Sequence, residues 1–303
     1  MNTITVSDDF DLYKITYSGQ CFRAAELEDG RYGFITGEHL LMIRALNEGN
    51  TMGVRTGANT ESESLSRGGL ANYEISCPLF EWDSIWSPYF DLNTNYSSIR
   101  GAIPSSDKYI HTAAEIGCGI RILNQNPFEM LISFIISQRK SIPAIRSSVE
   151  KICEKWGNPI KCPEEISIGP VFPQKELKSF PTPSALKDVT PEDLSDCGLG
   201  YRVPYILDAI ARVNDGRLDL EGLKKLNDEE LFDALKSVYG VGDKVANCIS
   251  LFAYHRTGRA PVDTWIAKVI NEEYNGINPF PKYGENAGIM QQYVFYAAQH
   301  EKV

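Results

Sequence analysis

Between Val238 and Cys248 the chain reads VYGVGDKVANC, a run that sets one lysine, Lys244, among glycines and small apolar residues. Such a lysine either snorkels out of a buried helix or is held in a dry place, and a buried lysine with a depressed pKa is a nucleophile. Cys248, four residues on, lies over the same helix surface. Nineteen residues after Lys244 stands Asp263, in APVDTWIAK. An aspartate ahead of an apolar helical run serves as an N-cap. It could also face back toward Lys244, where a carboxylate would stabilise a developing positive charge.

The turn before the lysine is open to two readings. Gly240 and Gly242 permit positive φ and close backbone approach, which suits an ordinary helical hairpin with a glycine C-cap. The same turn, Gly240, Val241 and Gly242, could leave its amides free at the start of the next helix and hold a phosphate without any side-chain charge.

The elements that must position these residues change character along the chain. Residues 1–108 are read as β-rich: YKITYSGQCFRAAEL, RYGFITGEHLLMIRAL and TMGVRTG are β-branched and aromatic runs between turn clusters, and their partial alternation predicts an antiparallel sheet with one face covered. A Ser-, Glu- and Gly-rich loop (60–69) interrupts it. Residues 109–303 are read as helical. IHTAAEIGCGIRIL is amphipathic, and NPFEMLISFIIS opens with Asn126 as N-cap and Pro127 at the first helical position. SIPAIRSSVEKICEKWG follows, then a Pro-rich loop (158–183), a series of short helices and a closing apolar helix, MQQYVFYAAQH. The fold class expected is α+β.

Composition sets bounds. At 303 residues and 43% hydrophobic the chain can bury one large core or two moderate ones. No run reaches the ~18–20 apolar residues of a membrane span, and the start MNTITVSDDFDLYK lacks the features of a secretory signal. Seven cysteines at scattered spacings favour reduced thiols in an intracellular compartment, and without a CxxC pair no zinc site is expected. The net charge of −10 argues against a nucleic-acid partner. It is concentrated early, however: residues 1–100 hold 14 acidic and 7 basic residues, leaving 26 and 23 for the rest. A basic face in the second part stays possible.

VYGVGDKVANC followed by APVDTW resembles the helix-hairpin-helix and Gly/Pro–Asp signature of the DNA glycosylase superfamily, and a lysine at this place marks its bifunctional glycosylase/lyase members. SGQCFR (Ser18–Arg23), NPFEMLISFIIS and CGLGYR (Cys197–Arg202) narrow the resemblance to the 8-oxoguanine DNA glycosylase family, although Ala24 replaces a tryptophan of the first motif. The resemblance implies an N-terminal sheet like that of TATA-binding protein beside a helical helix-hairpin-helix domain whose C-terminal helix closes the lesion pocket. It implies a monomer acting on double-stranded DNA that contains 8-oxoguanine, with base flipping. No cofactor is implied, although hairpin carbonyls in the family can hold a structural cation.

Residue by residue, the resemblance makes Lys244 the nucleophile at the deoxyribose C1′ and Asp263 the stabiliser of the positive sugar. Gly19 would accept the N7 hydrogen of the lesion, Cys248 and Phe295 would sandwich the flipped purine, and Gln291 would read its Watson–Crick edge. Arg202 would hold the orphaned cytosine while Tyr201 wedges into the stack. The chain leaves the family pattern at three places. Arg139, Lys140 and Ser141 replace an asparagine run, Ala144 replaces a second cytosine-reading arginine, and Trp265 stands where histidine is common. Arg139 is the candidate substitute reader. Two other functions compete: a monofunctional alkylated-base glycosylase, which needs no lysine, and a non-catalytic helix-hairpin-helix DNA-binding protein.

Overall fold

The computed structural model describes residues 1–46, 70–162 and 177–300. The expected strand TMGVRTG, the loop 60–69, most of the Pro-rich loop and the last three residues lie outside the described residues. The sheet has five strands, β1 (Asn2–Val6), β2 (Ala24–Glu26), β3 (Tyr32–Thr36), β4 (His39–Leu46) and β5 (Ala71–Ile75), in the order β1-β5-β4-β3-β2. All four pairings are antiparallel. In β5, Ala71, Tyr73 and Ile75 alternate inward as the period of two requires.

Two expectations for this region are corrected. YKITYSGQ does not extend a strand: α1 (Leu12–Tyr17) is a helix, because Asp11 caps the amide of Lys14 and Leu12, Ile15 and Thr16 fall at helical spacing on the buried side. Nor is only one face of the sheet covered. Phe34, Leu41, Ile43 and Tyr73 pack with Trp82, Trp86, Tyr89 and Phe90, while Ile35 and Met42 on the other face pack with Ile160 and Leu177. The aromatic layer comes from α2 (Leu79–Glu81) and α3 (Ser87–Tyr89), joined by a π-helical turn at Trp82–Trp86.

After α4 (Tyr96–Gly101) comes α5 (Lys108–Ile116), which stops short of the expected amphipathic run through Leu123. Gly117 is the C-cap, Gly119 takes φ +95°, and Ile120 to Leu123 are buried in non-helical backbone. The remaining helices follow the capping signals. They are α6 (Pro127–Ser137, capped by Asn126), α7 (Ile142–Trp156), α8 (Pro191–Ser195, capping box Thr190/Asp193) and α9 (Val203–Asn214). Then come α10 (Asp228–Lys236, capping box Asn227/Glu230), α11 (Asp243–Ala253), α12 (Thr264–Glu273, capped by Asp263) and α13 (Ala287–His300). Helix α6 is the core of this half: Phe128 to Ile136 are all buried.

A buried ionic cluster ties the N-terminal half to α6 and α7. Arg23, fully buried, donates to Glu150 at 2.8 Å and to the Lys178 carbonyl at 2.5 Å. Burial pushes the Glu129 carboxyl up to about 7, with Glu150 adding to the rise and Arg23 opposing it. A carboxyl whose folded pKa exceeds its unfolded value favours folding while protonated, so this contribution is present at acid pH and lost as pH rises through about 7. Glu129→Gln should therefore melt close to wild type at pH 5 and several degrees above it at pH 8. Thermal unfolding across that range checks this; a difference independent of pH would show that the carboxylate carries no penalty.

Candidate active site

A cavity of about 50 Å³ lies where α6, α11, the start of α12 and α13 meet the N-terminal half, with Ser18, Gly19, Lys244, Cys248, Asp263, Gln291 and Phe295 among its lining. Lys244 is in the first turn of α11, its Nζ 5.3 Å from the centre of the Phe134 ring, and that ring stacks on Phe252 at 5.6 Å. Cys248 is buried one turn on; burial pushes its thiol up, and the neighbouring Lys244 ammonium works against that rise. Lys244 is half-buried because Gly242 and Asp243, just before it, face solvent at the helix start.

Asp263 does both things the sequence left open. Its Oδ1 accepts from the Ile266 amide at 2.9 Å as the N-cap of α12, and the residue also lines the cavity with Lys244. Helix α13 supplies Gln291 and Phe295 one turn apart. Gln291 is buried, and its Oε1 meets no donor. An unpaired acceptor in such a place costs about 1–3 kcal/mol.

Gly19 reaches the cavity from the N-terminal half with φ +76°, and a Cβ there would lie 2.9 Å from Phe295 Cε1. The Phe295 ring therefore rests directly on Gly19, and the cavity has room for water-sized molecules but not for a purine. Neighbouring side chains hold this loop. Gln20 donates to Ser18 Oγ and the Arg121 carbonyl, both at 2.9 Å, and Gln292 donates to the Ser18 carbonyl. Sequence reasoning missed Ser18, Gln20 and Gln292, although each adjoins a residue it had singled out.

The hairpin between α10 and α11 is tight. Gly240 takes φ +84°, and a Cβ would lie 2.3 Å from the Tyr205 ring, so no side chain fits. The Val241 amide donates to the Val238 carbonyl at 3.0 Å and its side chain is buried, which corrects the expectation of a free amide there. Gly242 gives α11 no side-chain cap, leaving the first amides of the helix open to an anion.

Arg202 is buried rather than extended into solvent. It donates to the Leu199 carbonyl and twice to the Gln138 carbonyl, and its guanidinium lies 4.4 Å from the Tyr201 ring centre. Tyr201 is exposed. The turn CGLGYR reaches this shape through left-handed Gly198 and Gly200. Arg139 is exposed in the turn between α6 and α7, with φ +51°. Gln138, not singled out in the sequence, joins these parts, since its side chain also donates to the Gly240 carbonyl at 3.0 Å.

Residues 3–131 match the model of the 8-oxoguanine DNA glycosylase N-terminal domain, and residues 132–288 match that of the HhH-GPD superfamily of base excision DNA repair proteins. The 8-oxoguanine glycosylase/lyase of Clostridium acetobutylicum, solved with duplex DNA, is 32% identical with a TM-score of 0.80, over 96% of this chain and 92% of that one. The chain belongs to the 8-oxoguanine DNA glycosylase/lyase family. MBOgg1, solved with a low affinity DNA ligand, is 30% identical with a TM-score of 0.81, covering 99% of this chain and 96% of its own. The probable N-glycosylase/DNA lyase of Methanothermobacter thermautotrophicus is 28% identical over 239 residues, 69% of this chain and 71% of the relative. This family member is thus a DNA N-glycosylase and lyase by class, and no helix among its described residues is long and apolar enough to cross a membrane.

The contact between Gly19 and Phe295 makes a prediction. Gly19→Ala should lower stability by about 1–2 kcal/mol from backbone strain, with a further loss from displacing the ring. In a Phe295→Ala background the second part should vanish. A denaturation double-mutant cycle measures this, and a coupling below about 0.5 kcal/mol would show that the ring does not press on Gly19.

Proposed function

We propose that the cavity is the lesion site and that the enzyme excises 8-oxoguanine from duplex DNA and then cuts the strand, acting as a monomer. The observation that carries this is convergence. An amine on α11, a carboxylate at the start of α12, a buried unpaired amide oxygen on α13 and an N-terminal glycine loop line one cavity that no single element could build.

In this reading the base is extruded from the stack and enters as Phe295 swings off Gly19. It then lies between the Phe295 ring and Cys248, with Gln291 Oε1 taking a hydrogen from its edge and the Gly19 carbonyl taking the N7 hydrogen that guanine lacks. Lys244, as a neutral amine, forms a bond from Nζ to C1′ while the C1′–N9 bond breaks and its electron pair leaves with the base, which takes up a proton. Asp263 stabilises the positive sugar as it develops. Loss of a proton from the amine and ring opening give a Schiff base. Removal of a C2′ proton then expels the 3′ phosphate by β-elimination. A monofunctional alkylated-base glycosylase would have no use for Lys244 in the cavity, and a non-catalytic binder would have no use for the unpaired Gln291.

Lys244→Gln should abolish base release and strand nicking while keeping lesion binding, since an amide preserves most of the length but is no nucleophile. Borohydride trapping of a covalent adduct by this variant would overturn the assignment. Asparagine caps helices as well as aspartate does, so Asp263→Asn should separate the two roles of Asp263. Base release should slow by roughly 10²-fold or more with unfolding nearly unchanged, whereas Asp263→Ala should also lose about 1 kcal/mol. Normal turnover by a folded Asp263→Asn protein would reduce Asp263 to a cap.

We further propose that Arg202 leaves the Gln138 and Leu199 carbonyls to read the orphaned base. A bidentate reader contributes ~1–3 kcal/mol of discrimination; Arg202 must first give up its protein partners, and Ala144 supplies nothing. Lesion:adenine duplexes should therefore be processed within about tenfold of lesion:cytosine, ~1.4 kcal/mol, and Arg202→Ala should flatten the remainder. Single-turnover rates with each of the four opposite bases are the check, and a cytosine preference near a thousandfold would point to Arg139 or another reader.

A further inference from the structure

Three tyrosines run across the surface from the wedge segment to the phosphate-binding hairpin. Tyr201 and Tyr205 meet edge to face with ring centres 6.1 Å apart, and Tyr205 and Tyr239 do so at 4.7 Å and 86°. Tyr205 is half-buried, its ring lying over Gly240, whereas Tyr201 and Tyr239 are 52% and 58% exposed. Tyr239 sits immediately before Gly240, and its position is fixed from two sides. Its amide donates to Asp208 Oδ2 at 2.9 Å, and Asp208 is itself paired with Arg212 at 2.7 Å; its ring meets the edge of Tyr205. An exposed aromatic held this way presents its free face at little further cost in side-chain entropy.

We propose that Tyr239 is a second DNA-contacting aromatic, packing its exposed face on the sugar and base edge of the nucleotide whose phosphate is held at the start of α11. This rests on the reading of the hairpin as a DNA contact. The surface is continuous with that contact: Tyr239 is covalently next to Gly240 and joined through Tyr205 to the wedge tyrosine. The occupant follows from the neighbours. Phosphate-binding amides beside a fixed, uncharged aromatic suit a nucleotide rather than an acidic peptide, because each backbone phosphate is flanked by a sugar and a base edge that an aromatic face can cover. It also suits a chain of net charge −10, since aromatic contacts add affinity without the release of counterions.

The test is the affinity for a duplex carrying a tetrahydrofuran abasic-site analogue opposite cytosine, measured from low to moderate salt. Tyr239→Ala should weaken binding about tenfold, within the range for aromatic–base contacts, with an unchanged slope of log Kd against log salt. Tyr239→Phe should stay within twofold of wild type, as should Phe80→Ala, which removes a 75% exposed aromatic from the N-terminal half. A 2-aminopurine placed at successive positions along the duplex should lose a quenching step in Tyr239→Ala and keep it in Tyr239→Phe. Binding by Tyr239→Ala within twofold of wild type overturns the inference, as does an equal loss in Phe80→Ala or a shallower salt slope, which would mean a phosphate contact. If wild type does not prefer the analogue over undamaged duplex, the functional reading itself fails; if it does and Tyr239→Ala is unimpaired, only the tyrosine inference falls.

Discussion

The site depends on one buried loop being held in place. Ser18, Gly19 and Gln20 belong to the N-terminal half by sequence, yet they lie among helices of the other half, which a backbone segment can do only if its polar groups are paired. Gln20 spends its whole side chain on this, with Nε2 donating to Ser18 Oγ and the Arg121 carbonyl and Oε1 accepting from the Leu123 amide. Gln125 donates to the Gln20 carbonyl, and Gln292 reaches Ser18 from α13. Arg121 is the second anchor, since its buried guanidinium donates to the carbonyls of Phe90, Asp9, Asp91 and Thr94 and to Asp8. Removing either would strand several buried groups at once, so the two halves act as one framework around the cavity.

That framework also explains how an acidic chain can serve a polyanionic partner. Several arginines are committed to carboxylates of the protein: Arg23 to Glu150, Arg100 to Asp9, Arg121 to Asp8 and Arg212 to Asp208. They are not available to phosphates. Uncapped amides at the start of α11 and exposed aromatic faces lie near the cavity beside the exposed Arg139, and neither amide nor ring depends on net charge. Residues 1–100 carry 7 of the 10 excess negative charges, so the total is a poor guide to this surface.

Much of the helical half could be read from local chemistry. Asn126 and Asp263 cap the helices that their positions announced, because a capping side chain acts within three residues of itself, and Thr190 and Asn227 cap theirs in the same way. The cavity residues from Lys244 to Phe295 were named through the family resemblance, because they lie on three helices that no local spacing links. The errors arose where distant contacts decide. The β-branched residues around Ile15 and Thr16 suggest a strand until the Asp11 cap and the buried side of α1 are weighed. The run through Ile120 and Ile122 has helical periodicity but is not helical, because Arg121 must reach carbonyls from residues 9 to 94. Arg202 looked like a free reader, and only its packing beside Gln138 shows where its donors go.

In the proposed reaction Asp263 joins a structural and a chemical role in one side chain. The cap commits Oδ1 to the Ile266 amide, which fixes the carboxylate against the start of α12 and leaves Oδ2 outside that bond. Its anchor is a neutral backbone amide of its own helix, so the position of Asp263 does not depend on a charged partner. The carboxylate is placed by its own helix and the amine by another, and the two meet only across the cavity. The aspartate is therefore set before any substrate arrives, which suits the stabilisation of a short-lived cation that we propose for it.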